Sequence, residues 1–167
     1  PGEFNVYNSL AAVTTCGIIG IPMEVMQDSQ SDMKVRGRLE PVEIPGYARI
    51  FIDYAHNAVS LENVLTTLRQ YRPKRLICLF GCGGNRSAGR RQGMGFVSGR
   101  LADMTVITSD NPRFESPEAI MTDIETGVLE GGGEYVKICS RLDAIIYALE
   151  ISDRDDIVLL AGKGHET

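Results

Sequence analysis

Both histidines of this 167-residue chain stand in short polar segments that follow apolar runs: His56 in "DYAHN" (53–57) and His165 in "GKGHE" (162–166). Two further segments share that placement, "GCGGNR" (81–86) and "SDNPR" (109–113). By residue type, SDNPR has the clearest chemistry. Asp110 offers an acceptor for an ammonium group, Asn111 both donates and accepts, and Arg113 presents a planar fork suited to a carboxylate. Pro112 fixes the backbone between them. Such a set would recognise an amino-acid zwitterion; the alternative is a turn whose acid and arginine pair incidentally. The glycine-rich segments invite comparison with phosphate loops and fail it in detail. GCGGNR has G-x-G at Gly81 and Gly83, but Arg86 stands where a dinucleotide fingerprint needs its last glycine. IVLLAGKG has Ile157 where a P-loop begins with glycine, and Gly164 in place of its Ser or Thr. Tight strand-to-helix turns would account for either segment, and each histidine alone is as compatible with a structural role as with a functional one.

Elements must exist to hold these segments. Five runs are rich in Ile, Val, Leu, Phe or Tyr: ARIFIDYAH (48–56), RLICLFGCGG (75–84), MTVITSDNP (104–112), EYVKICS (134–140) and DIVLLAGKG (156–164), and all but EYVKICS run into one of the four polar segments. Continuous apolar runs of this length predict strands buried on both faces. Helical patterns lie between them. SLENVLTTLRQY (60–71) puts Leu61, Val64, Leu65 and Leu68 on one face. SPEAIMTDIETGVLE (116–130) opens with Ser116 as cap and Pro117 at the first helical position. SRLDAIIYALEIS (140–152) starts with Ser140 and Asp143 at capping-box spacing, and RRQGMGFVSGRLA (90–102) is a weaker helix because of its three glycines. The alternation predicts an α/β fold with a mostly parallel, doubly wound sheet. In such a sheet ligands bind beyond the carboxyl ends of the strands, where all four polar segments fall.

Residues 1–38 stand outside that alternation. EFNVYNSLAAVTTCGIIG (3–20) reads as one helix ending at glycine, and residues 21–40 as a polar connector. One helix and a tail cannot make a core. They are therefore expected to be the last piece of a preceding domain, with residues 39–167 forming the α/β domain.

Composition narrows the partners. A net charge of −5 with a pI near 5.1 supplies no chain-wide basic field for nucleic acid or an anionic membrane. No apolar run approaches the roughly 20 residues that span a bilayer, and PGEFNVYNSL lacks a signal-peptide pattern, so a cytoplasmic location is expected. The four cysteines form no C-x-x-C pair and are expected to be buried free thiols rather than zinc ligands. No repeat or low-complexity segment is evident.

FNVYNSLAA, RGRLE, FIDYAHNAVSLENVL, FGCGGNR, SDNPR and AGKGHE occur in this order along essentially the whole chain, which resembles the second half of the Mur ligases. Within that family it looks most like the branch adding a third residue to UDP-N-acetylmuramoyl-L-alanyl-D-glutamate (UDP-MurNAc-dipeptide) in peptidoglycan synthesis. The resemblance implies a Rossmann-like C-terminal domain and an ATP- and Mg2+-dependent reaction. In it a substrate carboxylate is phosphorylated and the amine of an incoming amino acid attacks the acyl phosphate. It further implies that Arg86, Asp110, Asn111, Arg113, Gly162 and Glu166 contact meso-diaminopimelate, Arg113 reading the carboxylate on the far stereocentre. On the nucleotide side it implies Asn5 and Asn8 near adenine, Arg38 and Asp53 near ribose, and Tyr54 and His56 as a wall. The acidic residue often found before Arg86 in the family is replaced here by Asn85.

The family's phosphate loop, its magnesium-binding glutamate and histidine, its carbamylated lysine and its UDP-binding domain all precede the segment matching GEFNVYN. The chain is thus expected to be a part, cut shortly after KGHET, that holds no metal ligand and no catalytic group and cannot ligate alone. Apolar surface exposed at either edge would favour association, and the oligomeric state is left open. Other readings are a stand-alone small-molecule-binding or interaction domain, or an L-lysine-adding, folylpolyglutamate or cyanophycin type of ligase.

Overall fold

The computed structural model describes residues 2–31 and 35–164. Two helices come first, α1 (Glu3–Ile18) and α2 (Met23–Ser31). A short strand β1 (Glu40–Val42) then pairs antiparallel with β2 (Arg49–Asp53). The rest alternates: α3 (Ala58–Arg69), β3 (Leu76–Phe80), α4 (Ala88–Leu101), β4 (Met104–Ile107), α5 (Pro117–Glu130), β5 (Tyr135–Lys137), α6 (Arg141–Glu150) and β6 (Ile157–Ala161). The six strands form one sheet in the order β1-β2-β6-β3-β4-β5, parallel from β2 onward.

The order follows from handedness. From β2 through β3 and β4 to β5 the chain moves one way along the sheet, and α3, α4 and α5 pack on one face. There Leu61, Leu65, Leu68, Met94, Ile124 and Val128 close over Cys78, Phe80, Ile107 and Leu159. Helix α6 carries the chain back from β5 to β6, and its Ala144 and Ala148 lie on the opposite face against Ile77, Leu79, Val106 and Val158. Reversing direction and face together keeps every crossover in the same hand. Burial of this kind stabilises by about 1.5–3 kcal/mol for each large aliphatic side chain.

Three helices start on capping side chains, whereas Ser87 before α4 makes no cap bond. Asn57 caps α3 by accepting from Ser60 N at 2.9 Å, Ser116 caps α5, and Ser140 caps α6. The glycines of α4 do not prevent a helix, because they are what lets α5 approach it. A Cβ at Gly127 would land on the Gln92 carbonyl oxygen, and one at Gly95 on that of Ile124.

Three expectations need correction. The polar connector contains α2, which packs on α1. Strand β1 was not anticipated: it is three residues long with Pro41 at its centre, a composition confined to sheet edges. Cys78 and Cys82 are buried, but Cys139 is exposed and Cys16 only half-buried. Among the described residues no helix is long and apolar enough to cross a membrane.

Candidate functional site

Strands β2, β6, β3 and β4 are consecutive neighbours, so the segments beyond their carboxyl ends share one rim. A cleft of ≈140 Å³ opens there, lined by Tyr54, His56, Gly81, Cys82, Gly83, Arg86, Arg90, Arg91, Asp110, Asn111, Arg113 and Gly162. Residues separated by more than a hundred positions thus meet on one surface. Of the residues singled out in the sequence, the cleft collects Arg86, Asp110, Asn111, Arg113, Gly162, Tyr54 and His56. Arg38 joins from the side, its guanidinium 5.6 Å from the centre of the Tyr54 ring. Asn5 and Asn8 lie on α1, whose main packing is against α2, and neither lines the cleft. Glu166, with His165, falls outside the described residues.

Asp53 sits beneath this rim rather than on it. It is 2% exposed, its Oδ2 accepts from Leu39 N and its Oδ1 from Ala55 N, both at 2.8 Å. Tyr54 N in turn donates to Gly37 O at 2.7 Å. The carboxylate therefore ties residues 37–39 to the end of β2. Burial raises its pKa above the ordinary aspartate value, against the opposing pull of the two amides and Arg38. The Tyr54 and His56 rings stand 4.9 Å apart, and Arg90 donates through Nε and Nη2 to the His56 carbonyl.

GCGGNR and SDNPR are laced together. Gly84 N donates to Asn111 O at 2.8 Å, and a Cβ at Gly84 would collide with the Pro112 carbonyl. Asn85 and Arg113 both occupy the left-handed region, with φ of 57° and 54°. Glu115 accepts from Asn85 N and from Arg91, which also pairs with Asp123 at 2.9 Å. These bonds with Arg91 and Asn85 hold the Glu115 carboxyl below its ordinary pKa. Gly162 (φ 92°) donates its N–H to Asp53 O, and Lys163 Nζ reaches Asp110 Oδ1 at 3.5 Å.

Among the described residues the cleft is lined by Asp110 and four arginines, of which Arg91 is buried and already paired with Glu115 and Asp123, leaving Arg86, Arg90 and Arg113 to face a ligand. That balance suits a small ligand with an ammonium group and more than one carboxylate. Cys82 contributes no nucleophile: burial, with Asp110 nearby, pushes its thiol up to about 12, and Sγ rests 3.7 Å from Met94 Sδ. Arg90, Arg91, Cys82 and Glu115 were not singled out from the sequence. The adjacent arginines after a glycine-rich turn were the available signal; nothing marked Glu115.

An open, mostly parallel sheet with helices on both faces and a charged cleft at its strand ends defines an α/β domain of the doubly wound kind. Residues 37–164 match the family model described as "Mur ligase, glutamate ligase domain", and the chain belongs to that family. Among curated proteins it is similar to the UDP-N-acetylmuramoyl-L-alanyl-D-glutamate–2,6-diaminopimelate ligase of Caldanaerobacter subterraneus subsp. tengcongensis, with 45% identity over the whole chain and 35% of the relative. The protein of the same name from Clostridioides difficile is 40% identical, again over the whole chain and 35% of its own length. A solved structure of a ligase of that name superposes with a TM-score of 0.73 at 35% identity, covering 99% of this chain and 34% of the other. A Mycobacterium tuberculosis folylpolyglutamate synthase matches at TM-score 0.74 but 21% identity, over 97% of this chain and 38% of its own, which shows the fold alone. The chain spans about a third of the length of the curated relatives it matches.

Proposed function

We propose that this chain is the amino-acid-binding part of an ATP-dependent ligase that joins meso-diaminopimelate to UDP-N-acetylmuramoyl-L-alanyl-D-glutamate in peptidoglycan synthesis. The observation that carries the reading is the gathering of Arg86, Asp110, Asn111, Arg113 and Gly162 on one cleft. Asp110 takes an ammonium group, Asn111 fixes its orientation, and Arg113 and Arg86 take the carboxylates. Glu166 is assigned to the same ligand on its motif alone. A second cationic fork at Arg113 favours a diamino diacid over L-lysine, which has a single carboxylate.

In the reaction, ATP phosphorylates the carboxylate of the dipeptide substrate. The bound amino acid's amine then forms the C–N bond as the C–O bond to phosphate breaks and the amine loses its protons. What this domain supplies is orientation, by holding the ammonium and carboxylate groups so that the reacting amine faces the acyl phosphate. Residues 1–38 are assigned to the preceding nucleotide-binding domain, a boundary supported by the family match starting at residue 37. On the nucleotide side, Arg38, Tyr54 and His56 form a wall, with Asn5 and Asn8 on α1 toward adenine and Asp53 fixing residues 37–39 beside the ribose. Among the described residues no group of three or more His, Cys, Asp or Glu could hold a metal. The donors for Mg2+ are assigned to the preceding part of the ligase, as the family resemblance implies. Dependence on ATP and a nucleotide-linked substrate would support a cytoplasmic location.

The test is a 15N NMR titration of the 167-residue chain with meso-diaminopimelate. Shifts concentrated at 81–86 and 109–113 are expected, stronger than with L-lysine; shifts that are absent from both segments would contradict the proposal.

A further inference from the structure

We propose that Arg91 is a positioning residue for the amino-acid ligand, acting through Glu115 to set the two loops that carry Arg86 and Arg113. The inference rests on the amino-acid reading of the cleft. Arg91 lies near the start of α4 and is 3% exposed, an unusual degree of burial for an arginine. Its fork is divided. Nη1 donates to Asp123 on α5 at 2.9 Å, and Nη2 to Glu115 Oε1, just beyond SDNPR, at 2.8 Å.

The same Glu115 oxygen accepts from the Asn85 amide. Asn85 precedes Arg86 directly and is held at φ 57°. Glu115 also closes the second loop, since its backbone N–H donates to Pro112 O at 3.0 Å and so encloses Arg113 at φ 54°. Left-handed backbone at residues other than glycine persists only where the surroundings fix it. Here Glu115 serves both loops, its carboxylate at Asn85 and its backbone N–H at Pro112, and Arg91 holds that carboxylate in place. Without the guanidinium, Glu115, itself about one-third exposed, can turn to water and leave the Asn85 amide without its acceptor. Lysine at this position keeps a charge but cannot reach both carboxylates as a planar fork does.

A guanidinium that merely joins α4 to α5 would act through Asp123, whereas a loop-setting one acts through Glu115. Three variants of the 167-residue chain separate them: Arg91→Lys, Glu115→Ala and Asp123→Asn. Each is read by hydrogen exchange of the Asn85 amide without ligand, by the midpoint of urea unfolding, and by the dissociation constant for meso-diaminopimelate. Arg91→Lys and Glu115→Ala are expected to speed Asn85 exchange and weaken binding by about tenfold, while Asp123→Asn leaves both within about twofold even if the midpoint falls. Equal effects of Glu115→Ala and Asp123→Asn, or unchanged Asn85 exchange in Arg91→Lys, would overturn the proposal. Failure of the unsubstituted chain to bind meso-diaminopimelate would instead count against the amino-acid reading, and the ligand-free exchange still decides whether Arg91 sets the loops.

Discussion

Lys163 Nζ lies 3.5 Å from Asp110 Oδ1, so an ammonium group beyond β6 already faces the carboxylate beyond β4 that the proposed function reserves for a ligand's ammonium. The pair is partly exposed, at 32% and 15%, and its net worth to stability is therefore small. Lys163→Met is expected to change the unfolding free energy by less than about 1 kcal/mol. Asp110→Asn keeps the side chain's size and removes its charge, and is expected to weaken meso-diaminopimelate binding about tenfold. Calorimetric titration checks this; an Asp110→Asn chain that binds as well as the original would remove Asp110 from the site.

Close approach of α4 and α5 sets a stability expectation. A Cβ at Gly127 overlaps the Gln92 carbonyl oxygen, a backbone atom that cannot move aside as a side-chain tip could. Gly127→Ala should cost ~1–3 kcal/mol or more by urea unfolding, despite alanine's better helix propensity. An unchanged midpoint would mean the helices separate freely.

Two buried aspartates should titrate in opposite senses. Burial raises Asp53, partly offset by the Leu39 and Ala55 amides and by Arg38, so its protonated form is favoured in the fold. Its contribution is fully present below the ordinary aspartate pKa and is lost as pH rises through the folded value. For Asp156 burial also pushes upward, but the hydrogen bonds from Arg75 and from the Asp153 amide, with the Arg75 charge, outweigh it, and the net shift is downward. Its contribution is present above the ordinary value and is lost as pH falls through the folded one. Carboxyl-carbon NMR should find Asp53 titrating above Asp156; the reverse order would contradict both accounts. Asp53→Ala would leave two amides short of an acceptor, at about 1–3 kcal/mol each.

Thiol reactivity follows burial. Cys139 should react promptly with a thiol reagent, whereas Cys78 and Cys82, buried and with thiols pushed up to about 12, should react only on unfolding. Rapid labelling of Cys82 in the folded chain would show that the cleft floor opens.

Of the five parallel strands read from the sequence, β2, β3, β4 and β6 were legible because strands covered on both faces are largely apolar, whereas β5, expected to be doubly buried, is a short edge strand with Lys137 exposed. Leu76–Phe80, wholly buried, is the clearest case. Strand β1 was not legible, since three residues including Pro41 carry no alternation to read. Helix α2 was hidden by its polar composition, and α4 was underrated because its glycines look like weak propensity until α5 is placed against them. The lining of the cleft was legible where polar residues follow a strand directly, as at Asp110 and Arg113. The candidate site was not legible where a residue works by being buried: nothing in the spacing of Arg91 and Glu115, or in the path of Asp53 toward Leu39 N, foretells those contacts.

The most direct measurement is calorimetric titration of the original chain and of Arg113→Ala with meso-diaminopimelate and with L-lysine. The original chain is expected to favour meso-diaminopimelate by about tenfold or more, and Arg113→Ala to bring the two ligands to similar affinity. Equal affinity in the original chain, or a preference that survives the loss of Arg113, would contradict the account.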